Sequence, residues 1–285
     1  MAKLAELPFT KGHGTANDFV LIQDSEARWV PTAEQVQWLC NRREGLGGDG
    51  VIRVVPTSRI SEYADLAAAN WFMDYRNSDG SIAEMCGNGA RVFARYLLAS
   101  GLESSREFLI ATRAGLHQVM IHEDFTVSIS MGQARIMERD DIMVDPGQGY
   151  DLIAATGVNV PNPHAVAVLP SGISLTEMSL TEFTVSPNDA FPEGVNVEFV
   201  QVKGERHLQM RVVERGSGET MSCGTGACAV AWVAMKTSGA NLDTEWQVDV
   251  PGGSLWVVER DGQLWLRGPA ELVARGKVLL PSGIA

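Results

Sequence analysis

The sequence EMCGNGAR, at residues 84–91, returns in nearly the same form as MSCGTGAC at residues 221–228. Each copy follows a strand-like stretch and a turn-forming loop, and each precedes a long apolar stretch that ends at a glycine. Such a stretch is typical of a helix whose end needs the left-handed conformation. The pattern predicts that Cys86 and Cys223 each stand at the start of a helix. The glycines predicted to end these helices are Gly101 and Gly239.

The repeat extends upstream of the two cysteines. The matching positions, in chain order, are Asn17, Gly50, Asn77 and Cys86 in the first half and Asn162, Asn196, Glu214 and Cys223 in the second. Their spacings are 33, 27 and 9 residues against 34, 18 and 9. The sequence therefore predicts two homologous domains, residues 1–131 and 132–270, with residues 271–285 returning to the first.

The predicted second helix is apolar on nearly all sides, so it must be surrounded by protein. Its large apolar residues are Val230, Trp232, Val233 and Met235. The rest of that half consists mainly of short strand candidates with few other helices. We therefore expect an α+β fold, in which a mostly antiparallel sheet or barrel curls around one central helix in each domain.

Composition narrows the class of protein. The chain has 285 residues, 45% of them apolar and 20% charged, with a formal charge of −12. A soluble globular protein fits these values, whereas a nucleic-acid partner does not, because the chain lacks a basic field. The sequence shows no secretory signal and no apolar run of membrane-spanning length, which predicts a cytoplasmic protein without membrane association. In that compartment the four cysteines are expected to be free thiols.

A cysteine at a helix start lies beside free backbone N–H groups and the positive end of the helix dipole, which favour the thiolate. The glycines that follow allow a carboxylate to approach the same N–H groups. Two such starts facing one another would hold a carboxylate with one sulfur on each side of its α-carbon. That arrangement suits a racemase in which one thiolate takes the α-proton and the other thiol returns one. Neither pyridoxal nor a metal is then expected.

Several segments together resemble the diaminopimelate epimerase family. They are FTKGHGTANDFVLI, GLGGDGVIR, RNSDGSIAEMCGNGAR, PNPHAV, FPEGVNVEFV and ERGSGETMSCGTGA. The resemblance implies a diaminopimelate epimerase-like fold with its active site in the cleft between two similar domains, and a homodimer. It also implies pyridoxal-independent interconversion of LL- and meso-diaminopimelate, a step in the biosynthesis of lysine and peptidoglycan precursors.

The resemblance also implies a role for each matching residue. Cys86 and Cys223 would be the acid/base pair, and backbone N–H groups next to them would bind the reacting carboxylate. Those groups belong to Gly87, Asn88, Gly224 and Thr225. The distal carboxylate would be held by Asn77, Asn162, Asn196 and Arg215. Glu214 would bind the distal ammonium, Asn17 would line the site, and His164 would assist proton transfer. Gly50, where some members carry glutamine, has no side chain to contribute.

Two alternatives remain at this level. A proline or hydroxyproline racemase also uses paired cysteines, and a panel of amino acids would distinguish it. A thiol redox or sensor protein could join Cys86 and Cys223 in a disulfide and would catalyse no α-proton exchange. We expect Cys40 and Cys228 to be packing residues, because buried thiols behave as small apolar side chains.

Overall fold

The computed structural model describes residues 6–239, 241–281 and 283. The chain divides into two compact units. The first unit comprises Met1–Ile129 and Gly268–Ala285, and the second comprises Ser130–Arg267. None of the helices within the described residues has the length and apolar character of a membrane-spanning segment.

Helices are few within the described residues. The α-helices are α1 (Ala33–Cys40), α2 (Gly87–Ala99) and α3 (Gly224–Ser238), and short 3₁₀ helices span Thr57–Arg59 and Ser61–Leu66.

Strands form most of both units. In chain order the first seven are β1 (Glu6–Gly14), β2 (Asn17–Gln23), β3 (Gly50–Pro56), β4 (Trp71–Asn77), β5 (Glu107–Thr112), β6 (Gly115–Ile121) and β7 (Val127–Gly132). The strands that follow are β8 (Arg135–Ile136), β9 (Met143–Asp145), β10 (Ile153–Val160), β11 (Asn162–Val168), β12 (Thr184–Ser186), β13 (Asn196–Gly204), β14 (His207–Glu214), β15 (Gly218–Thr220), β16 (Trp246–Val250), β17 (Gly253–Arg260), β18 (Gln263–Gly268) and β19 (Glu271–Leu279).

The first unit orders its strands β19-β1-β2-β3-β4-β5-β6-β7. The β2–β3 and β4–β5 pairs are parallel, and the other pairs are antiparallel. Helix α2 packs against β1, β2, β3, β4, β6 and β19, so the sheet curls around it. Helix α1 lies in the β2–β3 connection, as expected of parallel strands, which need a long crossover.

The second unit repeats this order as β8-β10-β11-β13-β14-β16-β17-β18. Its parallel pairs, β11–β13 and β14–β16, fall at the same two places in the order. The small strands β9, β12 and β15 are added at the side. Helix α3 packs against β10, β11, β13, β14, β16 and β17. The predicted α+β class, with a mainly antiparallel sheet around one helix, is therefore confirmed.

The ends of α2 and α3 follow the sequence signals. Each helix begins directly after its cysteine, and both cysteines have the extended backbone of an N-cap. Gly239 caps α3 in the left-handed conformation at φ 66°, and Gly101, one residue beyond the C-cap of α2, has φ 69°. Only glycine adopts this conformation without strain, so the predicted helix ends are confirmed.

Candidate active site

Cys86 is the N-cap of α2. Its Sγ accepts a hydrogen bond from Gly89 N at 3.4 Å, and its side chain is only half-buried. A Cβ at Gly89 would lie 2.9 Å from Met73 Cε, so the first turn of the helix is closely packed on its inner side. The sulfur thus lies at the N-terminus of a helix, where backbone N–H groups bind anions well.

Two asparagine amides meet beside Cys86. Asn88 Nδ2 donates to Asn17 Oδ1 at 3.2 Å, and the Cys86 thiol lies 3.8 Å from the same oxygen as a weak donor. Asn17 Nδ2 in turn donates to Asp49 Oδ2 at 2.7 Å. The structure therefore brings together three of the sequence-predicted site residues of the first unit and fixes the orientation of the Asn17 amide.

A tight turn presents Asn17. Thr15 and Ala16 form the two-residue connection between β1 and β2, with φ values of 50° and 61°. Positive φ at both central residues is the type I′ geometry, which best fits glycine and asparagine. Ala16 therefore holds a left-handed conformation that costs roughly 1–2 kcal/mol.

Cys223 is the N-cap of α3 and is more deeply buried, with 5% of its surface exposed. Gly226 N donates to its Sγ at 3.4 Å, and Thr225 Oγ1 lies 3.4 Å from the sulfur. Burial raises the pKa of Cys223 well above its ordinary value, and the charges of Glu214 and Glu198 raise the pKa further. The N–H of Gly226 at the helix start lowers the pKa of Cys223, as expected, but burial and the two carboxylates outweigh this effect.

A second cluster lies at the adjoining ends of β13 and β14. Asn196 Oδ1 accepts a hydrogen bond from Arg215 N at 2.9 Å, and Arg215 Nη1 donates to Glu193 O at 2.9 Å. Thr220 Oγ1 donates to Glu214 Oε1 at 2.5 Å. Glu214 is half-buried, whereas Arg215 is exposed. The guanidinium is therefore held at the surface of the unit, next to a carboxylate that also acts on Cys223.

His164 belongs to a buried polar group that the sequence did not reveal in full. Its Nδ1 lies 2.6 Å from Glu198 Oε1, and its Nε2 lies 3.0 Å from Asn162 Oδ1. His164 and Glu198 are both fully buried. Burial raises the pKa of Glu198, although the neighbouring His164 partly offsets that effect. Glu198 was missed, yet a carboxylate inside the apolar segment VNVEFV was a usable signal, because buried acids require partners.

The strand register sets the corresponding residues of the two units in matching places. Asn17 and Asn162 begin β2 and β11, and Gly50 and Asn196 begin the parallel neighbours β3 and β13. Asn77 ends β4, opposite Gly50, and its Nδ2 donates to Ser81 Oγ at 3.0 Å. The positions matched in the sequence are thus also matched in the fold.

Across residues 6–239, 241–281 and 283, no group of three or more histidine, cysteine or acidic side chains is arranged to bind a metal ion. Cys40 and Cys228 form no disulfide and are buried, as a packing role requires, and burial raises the pKa of Cys40 to about 12.

Comparison with known proteins gives one family. A family model described as diaminopimelate epimerase matches residues 9–137 and 156–273. A diaminopimelate epimerase from Streptomyces coelicolor is 46% identical over 278 residues, which is 95% of each chain. One from Mycobacterium leprae is 42% identical over 284 residues, again 95% of each chain.

Solved structures share the fold at much lower identity. A phenazine biosynthesis protein of the PhzF family from Bacillus anthracis has a TM-score of 0.70 and 15% identity, covering 97% of this chain and 100% of that one. A hydroxyproline epimerase from Agrobacterium vitis has a TM-score of 0.66 and 14% identity, covering 96% and 93%. These likenesses concern the fold alone. The family match over most of the chain and the 42–46% identity of its relatives show that this chain belongs to the diaminopimelate epimerase family.

Proposed function

We propose that this protein interconverts LL- and meso-diaminopimelate, in the biosynthesis of lysine and peptidoglycan precursors. The observation that carries the proposal is the repeated helix start: each unit has a cysteine N-cap whose sulfur lies 3.4 Å from the N–H of a glycine three residues on. One such helix start could bind a carboxylate. Inversion of the α-carbon needs an acid and a base on opposite faces, and the cysteines of the two helix starts supply them.

In this proposal the active site lies in the cleft between the two units. One of Cys86 and Cys223 removes the α-proton as a thiolate, and the other returns a proton as a thiol. Negative charge then spreads into the α-carboxylate, where the helix starts provide preorganised donors. The N–H groups that bind this carboxylate would be those of Gly87, Asn88, Gly224 and Thr225.

The far end of the substrate would be recognised by a different set of groups. The Arg215 guanidinium can donate to the distal carboxylate with a forked, charge-assisted geometry. Glu214 would bind the distal ammonium. Asn77, Asn162 and Asn196 would complete this subsite with Asn17 beside it. The bond from Arg215 N to Asn196 Oδ1 supports a further positioning role for Asn196.

We also propose a homodimer that works in the cytoplasm. Family membership supports both points, and the substrate would be a small molecule.

Hydrogen exchange in heavy water tests the chemistry directly. LL-diaminopimelate incubated with the protein and no added cofactor should gain deuterium at the α-carbon and convert to the meso form. Cys86→Ser and Cys223→Ser should each lower turnover by roughly a hundred- to ten-thousandfold, the usual range for a lost general acid or base. Cys40→Ala, which removes a buried thiol from α1, should keep the parental rate. Parental turnover in both serine variants would refute the proposal.

A panel of amino acids tests the substrate. Proline and 4-hydroxyproline have no second carboxylate or distal ammonium for Arg215 and Glu214 to bind. We expect exchange with diaminopimelate and none above background with these imino acids. The reverse preference would replace the proposed substrate and keep the two-cysteine chemistry.

A further inference from the structure

Arg215 is held in place by oxygen atoms that carry no charge. Its Nη1 donates to Glu193 O at 2.9 Å, and its backbone N donates to Asn196 Oδ1 at the same distance. The side chain is exposed. A guanidinium has five N–H donors, and a carbonyl oxygen occupies one of them without neutralising the charge. The guanidinium is therefore oriented and still able to bind an anion.

The stem of the Arg215 side chain lies against Gly194. A Cβ at Gly194 would be 2.8 Å from Arg215 Cδ and 3.1 Å from its Cγ, and real Cβ atoms essentially never approach another atom within 3.0 Å. These two carbons lie in the middle of the side chain, so they cannot move aside unless the guanidinium moves with them. Glycine at position 194 therefore makes room for this path of the arginine.

The turn that carries Glu193 and Gly194 is itself well supported. Gly194 N donates to Phe191 O at 2.9 Å, and the backbone of Gly194 is left-handed with φ 84°. Phe191 and Val195, which flank the two residues, pack against a buried apolar cluster that includes Val144 and Phe199. Because a close-packed cluster resists displacement, the turn is a firm support for the arginine.

In the first unit the position that matches Arg215 carries a short side chain. Asn77 matches Glu214 in the repeat, so Ser78 matches Arg215. Ser78 N donates to Asp49 O at 3.0 Å, which is a bond between backbone atoms. Both units thus tie this position to the segment before the neighbouring strand, but only the second unit directs a charged side chain there.

We propose that Glu193 and Gly194 are positioning residues that hold the Arg215 guanidinium where it binds the distal carboxylate of the substrate. This inference rests on the proposed function, which assigns that carboxylate to Arg215. Glu193 acts through its backbone oxygen, and Gly194 acts through the space that its missing side chain leaves. The turn thus contributes to specificity for a substrate with a second carboxylate without touching that substrate.

Steady-state kinetics of Gly194→Ala tests the positioning. The added methyl group displaces the stem of Arg215 and breaks the alignment with Glu193 O. The distal carboxylate does not react, so its contact stabilises the bound substrate and the transition state alike, and its loss raises KM rather than lowering kcat. We expect KM for LL-diaminopimelate to rise by about tenfold, the lower end of what a hydrogen bond to a charged group contributes. The kcat should stay within about twofold of the parental value.

Gly149→Ala is the matched control. Gly149 lies in the same unit and has φ 81°, close to the φ of Gly194, but a Cβ there meets nothing within 4 Å. The two substitutions therefore strain the backbone alike, and only Gly194→Ala displaces a side chain. Gly149→Ala should keep the parental KM. A parental KM in Gly194→Ala, or an equal rise in both variants, would overturn the proposal.

The Arg215→Ala background shows whether the effect passes through the arginine. This substitution removes the guanidinium and both carbons that lie against Gly194. Residues in direct contact show coupled effects, so Gly194→Ala should change KM by less than about twofold in this background. A further tenfold rise would mean that residue 194 acts by another route, and it would overturn the proposal.

A measurement on the unaltered protein covers the case in which Gly194→Ala fails to fold. Nitrogen-15 relaxation of each arginine Nε reports the picosecond-to-nanosecond motion of its guanidinium. Arg43 is the reference, because it is exposed and, among the described residues, only its backbone takes part in a hydrogen bond. We expect an order parameter below about 0.6 for Arg43 and a clearly higher one for Arg215. Equal values would overturn the proposal.

The two kinds of measurement separate this inference from the proposed function. An absence of exchange in the parental protein would refute the proposed function, and the order parameters would still test how Arg215 is held, because they need no substrate. Parental exchange together with an unchanged KM in Gly194→Ala would leave the proposed function in place and refute the positioning role alone.

Discussion

Gly50 stands where the backbone of the first unit leaves no room for a side chain. A Cβ there would lie 2.5 Å from Tyr75 Cε2 and 2.6 Å from Arg76 O. The ring can rotate, but the backbone oxygen belongs to the paired strand β4 and can yield only if the sheet deforms. The same crowding explains why position 50 contributes backbone alone, while the matching position of the second unit carries Asn196.

We therefore predict that Gly50→Ala lowers the free energy of unfolding by about 1–3 kcal/mol, the usual cost of overpacking. Urea unfolding at neutral pH measures it. Gly204→Ala is the control, because Gly204 also lies in a strand but a Cβ there meets nothing within 4 Å. That substitution should change the free energy by less than about 0.5 kcal/mol. Equal midpoints for the two variants would show that β4 accommodates the methyl group.

At the level of elements, a charge cluster joins the start of β2 to the segment after α1. Asp18 accepts two hydrogen bonds from Arg42, at 2.6 and 3.1 Å, and forms an ion pair with Lys11 at 2.6 Å. Burial alone would raise the pKa of Asp18, but the bonds and charges of Arg42 and Lys11 lower it well below its ordinary value. Asp49, next to this cluster, holds the Asn17 amide. The cluster thus links stability to the geometry of the site.

The lowered pKa of Asp18 sets the sign of the pH dependence of folding stability. A depressed carboxyl pKa stabilises the fold above the unfolded-state pKa of about 3.9, and that stability is lost as pH falls toward the lower, folded-state pKa. Asp18→Asn should therefore cost about 1–3 kcal/mol at neutral pH, and its stability should decline less steeply in acid than that of the parent. Urea unfolding across this pH range measures both effects. Asp141→Asn, which breaks an exposed pair with Arg139, should have a much smaller effect because solvent screens it. Parallel curves for Asp18→Asn and the parent would contradict the assignment.

Elements also differ in how well the sequence predicted them. The starts of α2 and α3 were predictable because a cysteine and glycines repeat before a long apolar stretch. Strands β8, β9 and β12, of two or three residues, are too short to show a period. The sequence also did not reveal which pairs are parallel, because pairing depends on contacts between distant segments rather than on local preference.

For the whole molecule, the repeat in the sequence corresponds to two units with one strand order, although their common ancestry and the roles of the site residues stay predictions. The repeat does not show how the two units differ. His164 and Glu198 are 34 residues apart and meet only through the β11–β13 pairing. Phe19 and Ile52 occupy the corresponding positions in the first unit. An alignment of the two halves on their shared residues therefore does not reveal the buried pair of His164 and Glu198.

The double variant Cys86→Ser/Cys223→Ser tests whether the two units act on one carbon. If one sulfur removes the proton and the other returns it, each is useless for inversion without its partner, and losses within such a unit are far from additive. We expect the double variant to convert LL- to meso-diaminopimelate about as slowly as the slower single variant. Two cysteines that contributed independently would instead multiply their losses, and the double variant would be slower than either single by the full factor of the other. Circular dichroism and urea unfolding of all three variants provide the control, because serine in place of a buried thiol must leave the fold intact for the comparison to measure coupling.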